Sequence, residues 1–186
     1  NYFFPHAGDS LNYSGSFINY KKDAQLGRDG FYSQPVQEGN YFEYGGKKGE
    51  VMIVRGAYHN NYKSGKWTCW YDSGKIKSEG SYSQYNWPDG KWKEWYESGQ
   101  IKSDIDYCNS NVCGNKTEWH ANGNLKTTVT YADYKIVGEY IEYWENGKMK
   151  RRDTYADRSI ISMEYGYENG QQKSSSHYTI DGKPDG

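Results

Sequence analysis

Bulky and polar residues alternate along most of the chain in short runs punctuated by glycine. Lys66-Trp67-Thr68-Cys69-Trp70 leads to Gly74, and Lys91-Trp92-Lys93-Glu94-Trp95 leads to Gly99. A period of two over such short runs is the pattern of half-buried β-strands. The runs also recur. Aligned on Gly65, Gly90, Gly114 and Gly138, four segments overlay. In each, a second glycine (Gly74, Gly99, Gly123, Gly147) falls nine residues later, and a closing tyrosine (Tyr82, Tyr107, Tyr131, Tyr155) falls eight residues after that. A decayed copy follows with Asn169, Gly170, Lys173 and Tyr178 in register. Two looser copies precede, from Gly15 to Tyr32 and from Gly39 to Tyr58. The starting glycines lie 24 to 26 residues apart, so about seven units fill the chain. The pattern divides it into an N-terminal cap with a degenerate repeat (1–38), central repeats (39–158, units starting near 39, 65, 90, 114 and 138) and a decayed capping repeat (159–186).

Each central unit carries a Ser-Gly or Asn-Gly pair between its two runs, at Ser73-Gly74, Ser98-Gly99, Asn122-Gly123 and Asn146-Gly147. This is the signal of a two-residue hairpin turn with positive φ at both positions. Counting outward from Ser98-Gly99 sets Tyr96 against Ile101, Trp95 against Lys102, Lys93 against Asp104 and Lys91 against Asp106. Counting from Asn146-Gly147 sets Trp144 against Met149, Tyr143 against Lys150 and Glu142 against Arg151. Opposite charges and aromatic–aliphatic partners meet, and the outermost pair of each unit sets Gly against Tyr, a ring over bare backbone. The reading is an all-β fold, an extended, twisted antiparallel meander of consecutive hairpins with about fourteen strands. One face, with Trp67, Tyr71, Ile76 and Tyr82 and their counterparts Trp92, Tyr96, Ile101 and Tyr107, is expected to carry the packing. The other is expected to present Trp70–Lys77, Trp95–Lys102, Trp119–Lys126 and Tyr143–Lys150, roughly every 10 Å. Those pairs read in two compatible ways: as stabilising cation–π contacts, or as an aromatic and basic strip that docks a partner.

Composition changes this picture at one point. The mean hydropathy of −1.13, with few aliphatic residues, would ordinarily signal disorder. The 21 tyrosines and 7 tryptophans, with a net charge of only −1, instead imply a fold packed by rings. No apolar run is long enough for a membrane helix, and a pI near 6.5 gives no general field for holding nucleic acid.

The unit Gly-x-aromatic-x-x-Trp-Tyr-x-Asn/Ser-Gly-x-Ile/Leu/Met-Lys, closing on Tyr, resembles the MORN-repeat variant of many bacterial proteins. It looks most like the YwqK-type antitoxins, over most of residues 39–178. That resemblance implies a single-layer sheet of hairpins and a binding role, including neutralisation of a cognate toxin or secreted effector. It brings no catalytic motif. Lys116 replaces an aromatic in the third unit and Gly166 a tryptophan in the fifth. The Trp-Tyr-x-x-Gly spacing is also similar to choline-binding repeats, whose aromatic cages take quaternary ammonium groups. Their shorter period, and the lysine beside each tryptophan here, count against that reading.

No catalytic residue, metal site or cofactor is expected. Known catalytic signatures are missing from the sequence. His120 occupies the column of Tyr71, Tyr96 and Trp144, so it reads as a packed ring. Glu94, Glu118 and Glu142 recur in register with Cys69, as solvated sheet positions do. Cys108 and Cys113 enclose a four-residue turn, either bridged or as two reduced thiols. A bridge would place the protein in the periplasm or otherwise exported, whereas reduced thiols would suit the cytoplasm. The chain starts at Asn1 without a charged, apolar leader, as after leader removal or trimming. The expected function is therefore non-enzymatic protein binding, in its most specific form immunity to a cognate toxin. The alternative is a cell-surface or membrane-associated module for a glycan, choline or a lipid headgroup.

Overall fold

The computed structural model describes residues 17–21, 36–45 and 51–185. Among these, thirteen strands form one sheet in strict chain order, each pairing antiparallel with its sequence neighbours. They are β1 (Phe17–Lys21), β2 (Val36–Gly45), β3 (Val51–His59), β4 (Tyr62–Trp70), β5 (Ile76–Tyr82), β6 (Pro88–Trp95) and β7 (Ile101–Cys108), followed by β8 (Asn111–Trp119), β9 (Leu125–Ala132), β10 (Lys135–Tyr143), β11 (Met149–Ala156), β12 (Ser159–Gly166) and β13 (Gln172–His177). The meander of hairpins expected from the sequence is thus the architecture. The first loose copy, with Gly15, Gly30 and Tyr32, falls largely outside the described residues.

The register beyond the turns is the one counted from the sequence. Lys93 faces Asp104, Lys91 faces Asp106 and Glu142 faces Arg151. Gly65 faces Tyr82, Gly90 faces Tyr107 and Gly138 faces Tyr155. The turns differ from the expectation. Gly99 N–H donates to Tyr96 C=O and Tyr96 N–H to Gln100 C=O, and the same two bonds close 71–75, 120–124, 144–148 and 167–171. Only the glycine has positive φ (Gly74 79°, Gly99 97°, Gly123 90°, Gly147 82°), not the residue before it. The connection is therefore a type I turn followed by a left-handed glycine, with a one-residue bulge just beyond. Two-residue turns with positive φ at both positions do occur, but between units: Asn60-Asn61, Asn109-Ser110, Asp133-Tyr134 and Asp157-Arg158.

The Asn of the unit turn has two tasks. Asn122 Oδ1 accepts from Asn124 N–H at 3.0 Å, while its Nδ2 donates to Glu145 C=O of the next turn at 2.6 Å. Asn146 does the same with Lys148 and Glu168.

The sheet is a single layer, so its rings have to cover one another. Trp67 is only 3% exposed, packed at ring-centroid distances of 5.6 Å from Tyr41, 5.2 Å from Tyr58 and 6.0 Å from Tyr82. Tyr82 continues to Trp92 at 5.1 Å, and the Lys63 ammonium lies 4.5 Å from the Trp67 ring. The indoles press on bare backbone, because a Cβ at Gly56 would run into Trp67 and one at Gly80 into Trp92. This side is the tyrosine face.

Two outcomes are expected from this packing. Gly80→Ala forces the Trp92 ring off its seat and should cost about 1–3 kcal/mol in urea denaturation. In a Trp92→Ala background the same change should cost much less. Equal costs in both backgrounds would refute the contact. The second concerns pH. Burial, with the hydrogen bond to Glu43, pushes the Tyr41 phenol up to about 12, and burial also raises Tyr58, Tyr82, Tyr140 and Tyr155. The folded state keeps these protons where the unfolded chain releases them. Stability is therefore full below about pH 10 and falls as pH rises through about 12. Phenolate absorbance in the folded protein should lag behind that of the urea-unfolded chain; coincident titrations would contradict the burial.

Candidate functional site

Strand alternation assigns the expected binding residues to faces. Trp95, Lys93 and Lys91 share the face opposite Trp92 and Glu94, and Trp70 shares it with Thr68 and Lys66. The bulge beside each turn then changes the partners. Trp70 pairs with Ile76, Trp95 with Ile101, Trp119 with Leu125 and Tyr143 with Met149. The expected Trp70–Lys77, Trp95–Lys102, Trp119–Lys126 and Tyr143–Lys150 pairs do not form, and Ile76 and Ile101 leave the tyrosine face.

The lysines go to the other side. Lys102 Nζ lies 2.8 Å from Glu94 Oε2, and this hydrogen bond raises its pKa above the ordinary lysine value. Lys150 Nζ lies 2.7 Å from Glu142 Oε1 and 4.9 Å from the Trp144 ring. Lys77 lies 5.6 Å from the Tyr71 ring. Lys126 is exposed. Each cation–π partner found is thus the residue after the one counted from sequence, a displacement of one position that changes the face.

Along the tyrosine face, the rings that follow those tryptophans clamp one unit to the next. Tyr71 O–H donates to Trp95 C=O at 2.7 Å and Tyr96 O–H to Trp119 C=O at 2.8 Å. His120 Nε2 reaches Tyr143 C=O at 3.0 Å, and Trp144 Nε1–H donates to Gly166 C=O at 3.2 Å. His120 is therefore a clamp in its column, the ring role its register suggested. Counting residues found the column but not the bond, because the acceptor lies in the following unit.

On the opposite face the strand interiors are filled by ion pairs across the ladder: Lys66–Glu79 at 3.0 Å, Lys91–Asp106 at 3.0 Å and Lys93–Asp104 at 3.1 Å. Beside them, near the unit turns, the four aromatic–aliphatic pairs form an apolar stripe over β4 to β11. All are half-buried except Ile76, which is 40% exposed. From β4 to β11 the stripe spans roughly 34 Å, and Tyr44 opposite Met52 continues the column onto β2 and β3. It stops at the fifth unit, where the equivalent position is Gly166. Cys108 and Cys113 are joined in a disulfide across an inter-unit turn, with Cα atoms 5.6 Å apart. Among the described residues no group of three or more His, Cys, Asp or Glu side chains could hold a metal ion, and no helix is long and apolar enough to cross a membrane.

Residues 63–84, 88–109, 113–133 and 136–157 match the family model described as MORN repeat variant, a match that suggests a repeat-based binding module. Each matched stretch holds one hairpin, β4–β5, β6–β7, β8–β9 and β10–β11. No curated protein matches the chain.

Removing one clamp while keeping its ring isolates the bond. Tyr96→Phe is expected to cost about 0.5–1.5 kcal/mol with an unchanged urea m-value, and His120→Phe a similar amount. A loss below the error of the measurement in both would mean that the units cohere without these bonds.

Proposed function

We propose that the protein is a non-catalytic module that binds another protein, and that in its most specific form it is an immunity protein which neutralises a cognate toxin or secreted effector. The observation that carries the binding reading is the apolar stripe of Trp70, Trp95, Trp119 and Tyr143 with Ile76, Ile101, Leu125 and Met149. A single-layer sheet already packed on its tyrosine face does not need a second row of half-exposed indoles. Tryptophan and tyrosine are the residues that most often dominate binding energy at protein interfaces. The ion pairs beside the stripe supply a polar margin of the kind that surrounds such anchors. The repeat-family match supports binding in general; the toxin partner rests on the sequence resemblance. Of the residues expected to bind, the four rings stay in this reading, while Lys77, Lys102 and Lys150 serve the tyrosine face.

Purification of the tagged chain from its native host, with mass spectrometry, should recover a one-to-one partner encoded beside it. Co-expression should relieve that partner's toxicity. With the partner in hand, the Trp95→Ala/Trp119→Ala double variant should lose at least about 100-fold in affinity, since each anchor of this kind carries about 2 kcal/mol or more. Its far-ultraviolet circular dichroism should be unchanged. Full affinity in the double variant would show that the stripe is not the interface, and a partner harmless when expressed alone would remove the immunity reading.

A further inference from the structure

Trp70 of the apolar stripe also lines a hollow of about 410 Å³ with Arg55, Lys66, Ser64, Thr68 and Asn40. A second hollow of about 290 Å³ shares Lys66 and is lined by Lys91, Lys93, Glu79 and Ser81. Both lie where a unit-opening glycine, Gly65 or Gly90, takes positive φ and the register of adjoining units shifts. In a chain of net charge −1, four cations and one carboxylate line the two hollows, with Asp104 and Asp106 alongside. Lys66, Lys91 and Lys93 are engaged by Glu79, Asp106 and Asp104. Arg55 is exposed, and among the described residues no ion pair or hydrogen bond engages its side chain.

Resting on the protein-binding reading above, we propose that these hollows receive an acidic segment of the partner protein in extended conformation. One of its carboxylates takes the free Arg55 fork and an apolar side chain lies on Trp70. A second carboxylate reaches Lys91 and Lys93. The geometry sets the spacing. From β3 to β6 is three strand separations, roughly 14 Å, and side chains four residues apart on an extended chain are roughly 13 Å apart. A planar fork suits a carboxylate in two-point contact. Glu79 in the second hollow opposes a continuous run of phosphates and leaves room for separate single charges. The stripe then takes the partner's apolar surface, and the hollows fix its polarity and register.

The test uses a fluorescein-labelled ten-residue peptide with two glutamates four residues apart and a leucine midway, followed by fluorescence polarisation at low salt. Replacing both glutamates by glutamine should weaken binding at least tenfold, as should Arg55→Glu or raised salt. Lys135→Glu, on β10 and far along the sheet from both hollows, should change little. A twelve-residue oligothymidylate and phosphatidylserine vesicles should compete poorly. Absence of peptide binding, indifference to Arg55→Glu, or equal competition by oligonucleotide or vesicles would overturn the proposal. Once the partner is identified, its affinity separates the two readings. If the tryptophan double variant abolishes binding while Arg55→Glu leaves it intact, only the acidic-segment inference falls. If neither variant matters, the stripe falls too.

Discussion

A sheet one layer thick has no second layer to cover it, and most features of this molecule answer that constraint. Strand-to-strand hydrogen bonds satisfy the backbone but remove little apolar surface from water. Cover has to come from side chains long enough to lie across neighbouring strands, and aromatic rings meet that need where valine and leucine do not. Trp67 reaches 3% exposure with no opposing layer, because Tyr41, Tyr58 and Tyr82 close around it and Gly56 lets it sit on the backbone. Among the described residues the buried apolar side chains are few, Trp67 and Val129, alongside the buried polar Ser103, Thr127 and Asp153. The low mean hydropathy and the tyrosine-rich composition are thus two aspects of one solution.

The same constraint explains why the units hold together as an array. Each hairpin would expose both flanks if isolated, so its neighbours complete it. Hydrogen bonds that skip to the next unit do much of this. The phenols of Tyr71 and Tyr96, the imidazole of His120 and the indole of Trp144 all bond a carbonyl one unit ahead. The chemistry of the donor varies while its position is kept. That tolerance lets the repeat diverge in sequence and keep its period.

The fold was legible because two features cancel in the counting. A two-residue turn on Ser98-Gly99 and the observed wider turn with a one-residue bulge give the same partners further out, so Lys93–Asp104 and Gly90–Tyr107 come out correctly from either. Close to the turn they do not cancel. Trp95 meets Ile101, and Lys102 swings to Glu94 on the other face. The expected strip of alternating rings and lysines lay in that short stretch, so it was the part of the site that sequence could not place. The inter-unit turns were hidden for a related reason. Asp133-Tyr134 and Asp157-Arg158 place tyrosine and arginine at positive φ, and neither type signals such a turn.

Irregularities of a second kind, between units rather than beside the unit turns, accompany relief on the opposite face. A perfectly regular ladder would carry ion pairs and rings at even height, with little to distinguish one docking register from another two strands away. Depressions lie beside Gly65 and Gly90, where the register shifts between units. Periodicity supplies the length of the surface and its repeated anchors. A departure from it, such as Gly166 where the stripe stops, supplies direction. A partner that reads both can bind in one register only, which a strictly periodic surface would not enforce.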